Sequence, residues 1–201
     1  VRAENTAGTQ RLADGSKIMG AIKGRDAIYV WTDTALFLMR FVGAPFTFSF
    51  EQVGTNCGLF GKNAAVEVDG SSYWMSENGF FTYDGQLKSM PCLVEDYVYD
   101  SINDTARDLI NCGLNNLFGE INWFYCSGAS DEVDRVVTYN YLDSSAKQPI
   151  WTTGSLDRTA WQDSSVFNRP HATYYTPSDN DSFDVTGNTD GITIYYNQET
   201  G

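Results

Sequence analysis

Apolar side chains in this chain gather in short runs, each closed by a pair or triplet of turn-forming residues. The clearest series is Ala64 to Met90. Val66 and Val68 alternate with Glu67 and Asp69, and Asp69-Gly70 follows. Tyr73-Trp74-Met75 leads to Glu77-Asn78-Gly79, and Phe80-Phe81-Thr82-Tyr83 leads to Asp84-Gly85. Asp-Gly and Asn-Gly pairs accept the positive φ angles of tight hairpin turns, so apolar runs between them predict antiparallel strands. Asp69 and Asp84 are expected to serve turn geometry alone. The stretch predicts a meander of the kind that forms one propeller blade.

The same texture recurs along the chain. Residues 1–16 are polar and read as an irregular lead-in. Ile18–Ile22, Ala27–Trp31 and Ala35–Phe41 are short apolar runs that predict strands. Phe46-Thr47-Phe48-Ser49-Phe50 alternates aromatic and hydroxyl residues, which predicts a strand with one buried face. Gln52 to Asn63 reads as a loop. After Met90 the period changes once. Ser101 with Asp104 has the form of a capping box, and Ile102, Ala106, Leu109 and Ile110 fall at helical spacing before Gly113. This predicts one short helix over 101–113, as a packing decoration or a partner-docking helix. Strands resume at Glu120–Tyr125, Arg135–Tyr141 and Pro149–Gly154, a second meander.

Tyr29, Tyr73 and Trp123 open comparable strands and lie 44 and 50 residues apart. That approximates the period of propeller blades. The fold expected is all-β, with antiparallel meanders arranged as β-propeller blades over residues 17–167. At this period the chain supplies about four blades, so the propeller is either small or incomplete. No WD dipeptide with a Gly-His partner marks it as an ordinary WD-repeat scaffold. Residues 168–201 form a polar insertion or loop, Phe167 to Asp190, and a final strand, Ile192–Tyr196. Val1 and the polar tail suggest a piece of a longer polypeptide. No charged-then-apolar leader is visible, and no apolar run reaches the roughly 20 residues of a membrane helix.

The 201 residues carry a net charge of −13. Such a surface repels phosphate, so specific nucleic-acid binding is not expected. The acidity suits solubility, and the alternative is a negatively lined conduit along which DNA slides without sticking. Cys57, Cys92, Cys112 and Cys126 form no C-x-x-C pair, and His171 is the sole histidine. A zinc site would lack its usual spacing, and the apolar settings suit buried free thiols rather than disulfides.

Candidate chemistry is sparse. Gly58, Gly61 and Lys62 do not complete a phosphate loop, because Asn56 and Asn63 stand where a glycine and a hydroxyl residue belong. Asp179, Asp181 and Asp184 cluster as in a calcium loop, but Phe183 occupies the fifth position. Glu77, Glu120 and Asp163 neighbour aromatics, as glycosidase carboxylates do. In a chain with 5 Trp, 12 Tyr and 12 Phe such neighbours arise by chance. His171 follows Pro170 in a polar stretch and reads as a surface histidine without a nucleophile elbow. Arg158 and Trp161 read as structural, through stacking or a carboxylate fork. No residue is assigned as catalytic, cofactor-binding or metal-ligating, and no cofactor is called for.

Several segments together resemble a family. Gly20-Ala21-Ile22 with Ala27–Leu36, Asn63–Val66 through Tyr73–Gly85, Trp123-Phe124-Tyr125, and Trp151–Trp161 resemble the β-propeller portion of tailed-bacteriophage tail-hub, nozzle or packaged-DNA stabilisation proteins. The resemblance implies a non-enzymatic virion protein, assembled in the host bacterial cytoplasm. It would form a ring of its own copies in the tail beneath the portal, beside other tail or portal and adaptor proteins. There it would extend the channel and help retain packaged DNA. The alternative is a carbohydrate-recognising or carbohydrate-degrading tail module, with Trp74, Trp123 or Trp161 as sugar platforms. A third class is a cellular interaction propeller.

Overall fold

A computed structural model of the chain describes residues 8–145, 147–163, 170–174 and 193–196. Strands dominate, and every ladder between them is antiparallel. The chain divides into two compact units, Val1–Pro91 and Cys92–Gly201.

The first unit holds two four-stranded sheets, each in sequential order. The first sheet is β1 (Ile18–Lys23), β2 (Ile28–Thr32), β3 (Ala35–Phe41) and β4 (Phe48–Thr55). The second is β5 (Ala65–Val68), β6 (Ser71–Ser76), β7 (Gly79–Tyr83) and β8 (Leu87–Met90). Asp69 and Gly70 join β5 to β6 with φ of 53° and 82°, the two positive angles of a type I′ turn. Glu67 Oε1 accepts the Gly70 N–H at 2.7 Å and fixes that corner. Residues 57–60, read from sequence as part of a loop, are buried. Their backbone stitches the two sheets: Leu59 N–H donates to Thr32 O at 3.1 Å and Phe60 N–H to Met75 O at 3.0 Å.

One expectation for the first sheet fails. The Phe46–Phe50 alternation was expected to bury one face, yet Phe46 and Phe48 are 75% and 46% exposed. Alternation specifies that side chains share a face but does not supply the layer that covers it.

The second unit opens on α1 (Glu95–Ser101) and a short 3₁₀ helix (Asp104–Leu109). This corrects the single helix expected over 101–113. Ser101 does not cap a helix start. It closes α1, its hydroxyl donating back to Tyr97 O at 2.8 Å. Ile102 and Asn103 are extended, and Ile102 pairs with Ser127. Asn103 is the actual cap, its Oδ1 accepting the Thr105 N–H at 3.0 Å. Gly113 is no helix stop but sits inside a strand.

That strand is β9 (Asn111–Asn115), and with β10 (Glu120–Tyr125), β11 (Arg135–Asn140) and β12 (Trp151–Gly154) it forms a third four-stranded meander. Strands β13 (Ala160–Gln162), β14 (His171–Tyr174) and β15 (Thr193–Tyr196) form a three-stranded sheet. The expectation of one polar loop from Phe167 to Asp190 is thus broken by β14, and His171 opens a strand rather than lying in a loop. The remainder of that polar stretch, with Asp179, Asp181 and Asp184, lies outside the described residues.

The three four-stranded sheets share a design that side-chain identity reveals. Trp31, Trp74 and Trp123 are each the fourth residue of the second strand of their sheet. All three are fully buried. Each faces a small residue on the first strand: Gly20 opposite Trp31, Ala65 opposite Trp74, Cys112 opposite Trp123. Directly opposed residues share a sheet face, so the small partner leaves room for the indole. These tryptophans, 43 and 49 residues apart, fit the repeat more closely than Tyr29, Tyr73 and Trp123 do. The four sheets are of a form that propeller blades take, while a closed ring of blades is a further step.

Candidate functional site

A polar groove lies in the first unit, where β3 and β4 meet β7 and β8. It has a volume of about 700 Å³ and is lined by residues that include Arg40, Glu51, Tyr83, Gln86 and Leu87. Leu38 pairs with Glu51 and Arg40 with Ser49, which sets the Arg40 guanidinium diagonally across from Glu51. Arg40 Nη1 donates to Glu51 Oε2 at 2.7 Å, and Nη2 to Asp26 Oδ2 at 3.4 Å. Burial opposes the charge on Arg40, but Asp26 and Glu51 outweigh it and hold the pKa above its ordinary value. An arginine engaged by two carboxylates is a cross-brace between strands, not a cation held ready for an anionic ligand.

A second hollow of about 640 Å³ is lined by Lys23, Arg25, Glu67 and Asp69 with two glycines. Glu67 there is the acceptor of the Gly70 turn. A smaller recess of about 240 Å³ lies over β13 and β14, beside Trp161, Gln162 and His171.

The carboxylates with aromatic neighbours are divided between the two units. Glu77 sits exposed in the β6–β7 turn of the first unit. Glu120 and Asp163 belong to the second unit, and each is held by a neighbouring asparagine. Asn115 Nδ2 donates to Glu120 at 3.3 Å. Asn116 donates its backbone N–H to Asp163 Oδ1 at 3.1 Å and its side-chain amide to Oδ2. These bonds close the β9–β10 turn onto the end of β13.

Two of the three expected sugar platforms are core. Trp74 and Trp123 are fully buried, and Trp74 Nε1 donates to Cys57 O at 2.8 Å. Trp161 is partly buried, tilted on Phe124 with ring centroids 5.6 Å apart, and donates to Leu114 O at 2.8 Å. A sugar stacks on an exposed ring face, so Trp74 and Trp123 cannot serve that purpose as they stand. These contacts agree with a structural part for Trp161. Arg158 Nη1 lies 4.0 Å from Asp157 Oδ1 and 2.9 Å from Asp157 O, so it braces its own loop.

The four thiols are free, with Cys57 and Cys126 buried. Burial pushes Cys57, Cys92 and Cys126 up to about 11, and Cys112 well above its ordinary value. A raised pKa lowers the thiolate fraction on which a cysteine's reactivity depends. Among the described residues, no group of three His, Cys, Asp or Glu side chains could hold a metal ion. No helix among them is long and apolar enough to cross a membrane.

No family model matches the chain, and no curated protein matches it. What the geometry offers is a set of stacked aromatic cores and cross-braced grooves. The Arg40 brace was missed in the sequence, because Arg40 and Glu51 become neighbours only through the β3–β4 register.

Proposed function

We propose that this chain is a non-enzymatic structural component of a tailed-phage virion tail, acting through protein–protein contacts. In this reading it stands in a tail hub or nozzle, in a ring of its own copies beside neighbouring tail or portal proteins. There it extends the channel through which packaged DNA is retained. The observation that carries the reading is the repeat of three four-stranded meanders, each with a buried tryptophan at the same strand position. It agrees with the propeller blades implied by the resemblance of Ala27–Leu36, Tyr73–Gly85 and Trp151–Trp161 to those tail proteins.

The chemistry adds support. The thiols are held protonated, Arg40 is neutralised in place, and Glu120 and Asp163 are occupied in turn geometry. The charge of −13 suits a protein that lies near DNA without gripping it. A carbohydrate-recognising module is the weaker reading, since two of its three expected tryptophan platforms lie in the core.

Quantitative mass spectrometry of purified particles tests the proposal. A structural tail component is expected in a constant ratio to the portal protein after the particles are washed in high salt. Its absence from the particles, or its loss in the wash, would refute the reading.

A further inference from the structure

Register divides the first sheet into two faces. Tyr29, Trp31, Leu36 and Leu38 lie on one, all buried. Val30, Ala35, Phe37, Phe41, Phe48 and Gln52 lie on the other. This second face is open towards the β3–β4 loop, where Phe41 is 73% and Phe48 46% exposed. At its far end Val30, Ala35 and Phe37 are buried, with Leu12 of the lead-in and Met39 of β3 packed against them.

Residues 10–17 cross that far end as a strap. Leu12 and Asp14 are half-buried while Arg11, Ala13 and Gly15 are exposed, the alternation of an extended segment with one side laid on the sheet. Gln52 Nε2 donates to Asp14 Oδ2 at 2.5 Å. Asp33 Oδ1 accepts the Ser16 N–H at 2.8 Å and Oδ2 the Ser16 hydroxyl, while the Asp33 N–H donates to Lys17 O at 3.2 Å. Gly15 has a φ of 98°, and a Cβ there would lie 2.4 Å from Thr32 Cβ. Only glycine lets the chain pass this close in that conformation. Among the described residues, backbone bonds from the lead-in to the sheet begin at Lys17, and residues 10–16 are fastened through side chains. The β2–β3 and β3–β4 ladders do not run through the strap.

We infer that residues 10–17 are a lid over the second face of the first sheet, latched at Asp14 and Asp33, which opens while the sheet stays folded. Segments that open on their own have few buried apolar contacts and few protected backbone hydrogen bonds. The strap fits that description, since Leu12 is its one large apolar side chain. Opening bares Val30 and Phe37 and joins them to the exposed Phe41 and Phe48. The lid therefore sets how much of this apolar face meets solvent, from a short patch when closed to the length of β3 when open.

The inference stands on this sheet alone and is independent of the particle location. Native-state hydrogen exchange of the whole chain, read at each amide by nuclear magnetic resonance in rising sub-denaturing urea, is the test. The Ser16 amide should exchange more slowly than in an unstructured peptide, at a rate that urea leaves nearly unchanged. The ladder amides of β2 and β3 should exchange far more slowly still and speed up with urea. Asp33→Ala should raise exchange across residues 10–17 about tenfold, the scale of a lost hydrogen bond to a charged group, with β2 and β3 at their parental rates. Gly15→Ala keeps both latch carboxylates but forces the strap away from Thr32. It should raise the fluorescence of bound anilinonaphthalene sulfonate several-fold, with an unchanged far-ultraviolet circular dichroism spectrum. A Ser16 amide that exchanges as in an unstructured peptide, or in step with β2 and β3 at every urea concentration, would overturn the inference. So would a Gly15→Ala chain that binds no more dye than the parent.

Discussion

The indole of Trp31 meets that of Trp74 with centroids 5.3 Å apart and planes inclined by 61°. This edge contact joins equivalent positions of two successive sheets, and Tyr29 meets Tyr83 across the same interface at 5.4 Å. Offset or edge-on geometry sets the positive rim of one ring against the negative face of the other, which adds to the burial of both. The two indoles differ in one respect. Trp74 Nε1 donates to Cys57 O, whereas Trp31 Nε1 is buried without a hydrogen-bond partner among the described residues.

That difference predicts an order of stabilities. Trp31→Phe removes ring volume but no hydrogen bond, and should cost about 1–2 kcal/mol. Trp74→Phe also leaves Cys57 O without its donor and should cost about 1 kcal/mol more. Truncation of either to Ala should cost about 3–5 kcal/mol. Urea unfolding of the three kinds of variant measures these differences. Equal cost for the two Phe variants would show that the Cys57 bond contributes nothing.

In the second unit, Gly113 leaves no room for a side chain. A Cβ there would lie 2.5 Å from Trp161 Cγ and 2.9 Å from its Cβ. Gly113→Ala should therefore displace Trp161 from Phe124 and destabilise by about 1–3 kcal/mol. A red-shifted tryptophan emission in the folded variant, set against Trp161→Phe as control, reports the displacement.

Much of this architecture was legible in the chain. Asp69-Gly70 and Asp84-Gly85 announce hairpins because few other pairs accept the angles required, and most strands fell where short apolar runs predicted. The exceptions have physical causes. Asn111–Asn115 is polar and glycine-bearing, so its strand character comes from the ladder with β10 and the fit of Trp161 over Gly113, neither of them local. The capping-box pattern at Ser101 lost to α1, whose Val98 is buried one turn earlier. Phe46–Phe50 alternates as a buried strand would, but burial depends on a covering layer that alternation does not encode. The Arg40 brace and the open face of the first sheet follow from register, which a linear reading does not contain.

The thiols predict a pH dependence. Cys57, Cys92 and Cys126 are raised from 9.0 to about 11 by burial. Below pH 9 both folded and unfolded chains keep these protons, and stability is unaffected. Between about pH 9 and 11 the unfolded chain releases them first, so stability should fall as pH rises through that window. Chemical denaturation at stepped alkaline pH tests this. Cys57→Ala should flatten part of the slope, and an unchanged slope in a variant lacking all three thiols would exclude them as its cause.

Asp33 predicts the opposite sign in acid. Its carboxylate accepts the Ser16 hydroxyl and the Ser16 N–H, the latter at 2.8 Å, and pins the lead-in to the β2–β3 turn. The Ser16 hydroxyl is the chief reason its pKa lies below the ordinary 3.8, against a smaller opposing effect of burial. This contribution is present above pH 3.8 and is lost as pH falls through the lowered value. Asp33→Ala should remove it and release the lead-in, so that limited proteolysis between Gln10 and Lys17 speeds up at neutral pH. Cleavage at the parental rate would mean that Leu12 packing alone holds the segment.

The most direct test of the central claim is electron cryomicroscopy of the particle that carries this chain, read for where its sheets lie. The account predicts density for the stacked four-stranded meanders in a symmetric ring about the tail axis, with copies contacting one another. Density confined to the tips of peripheral fibres would contradict it and favour glycan recognition.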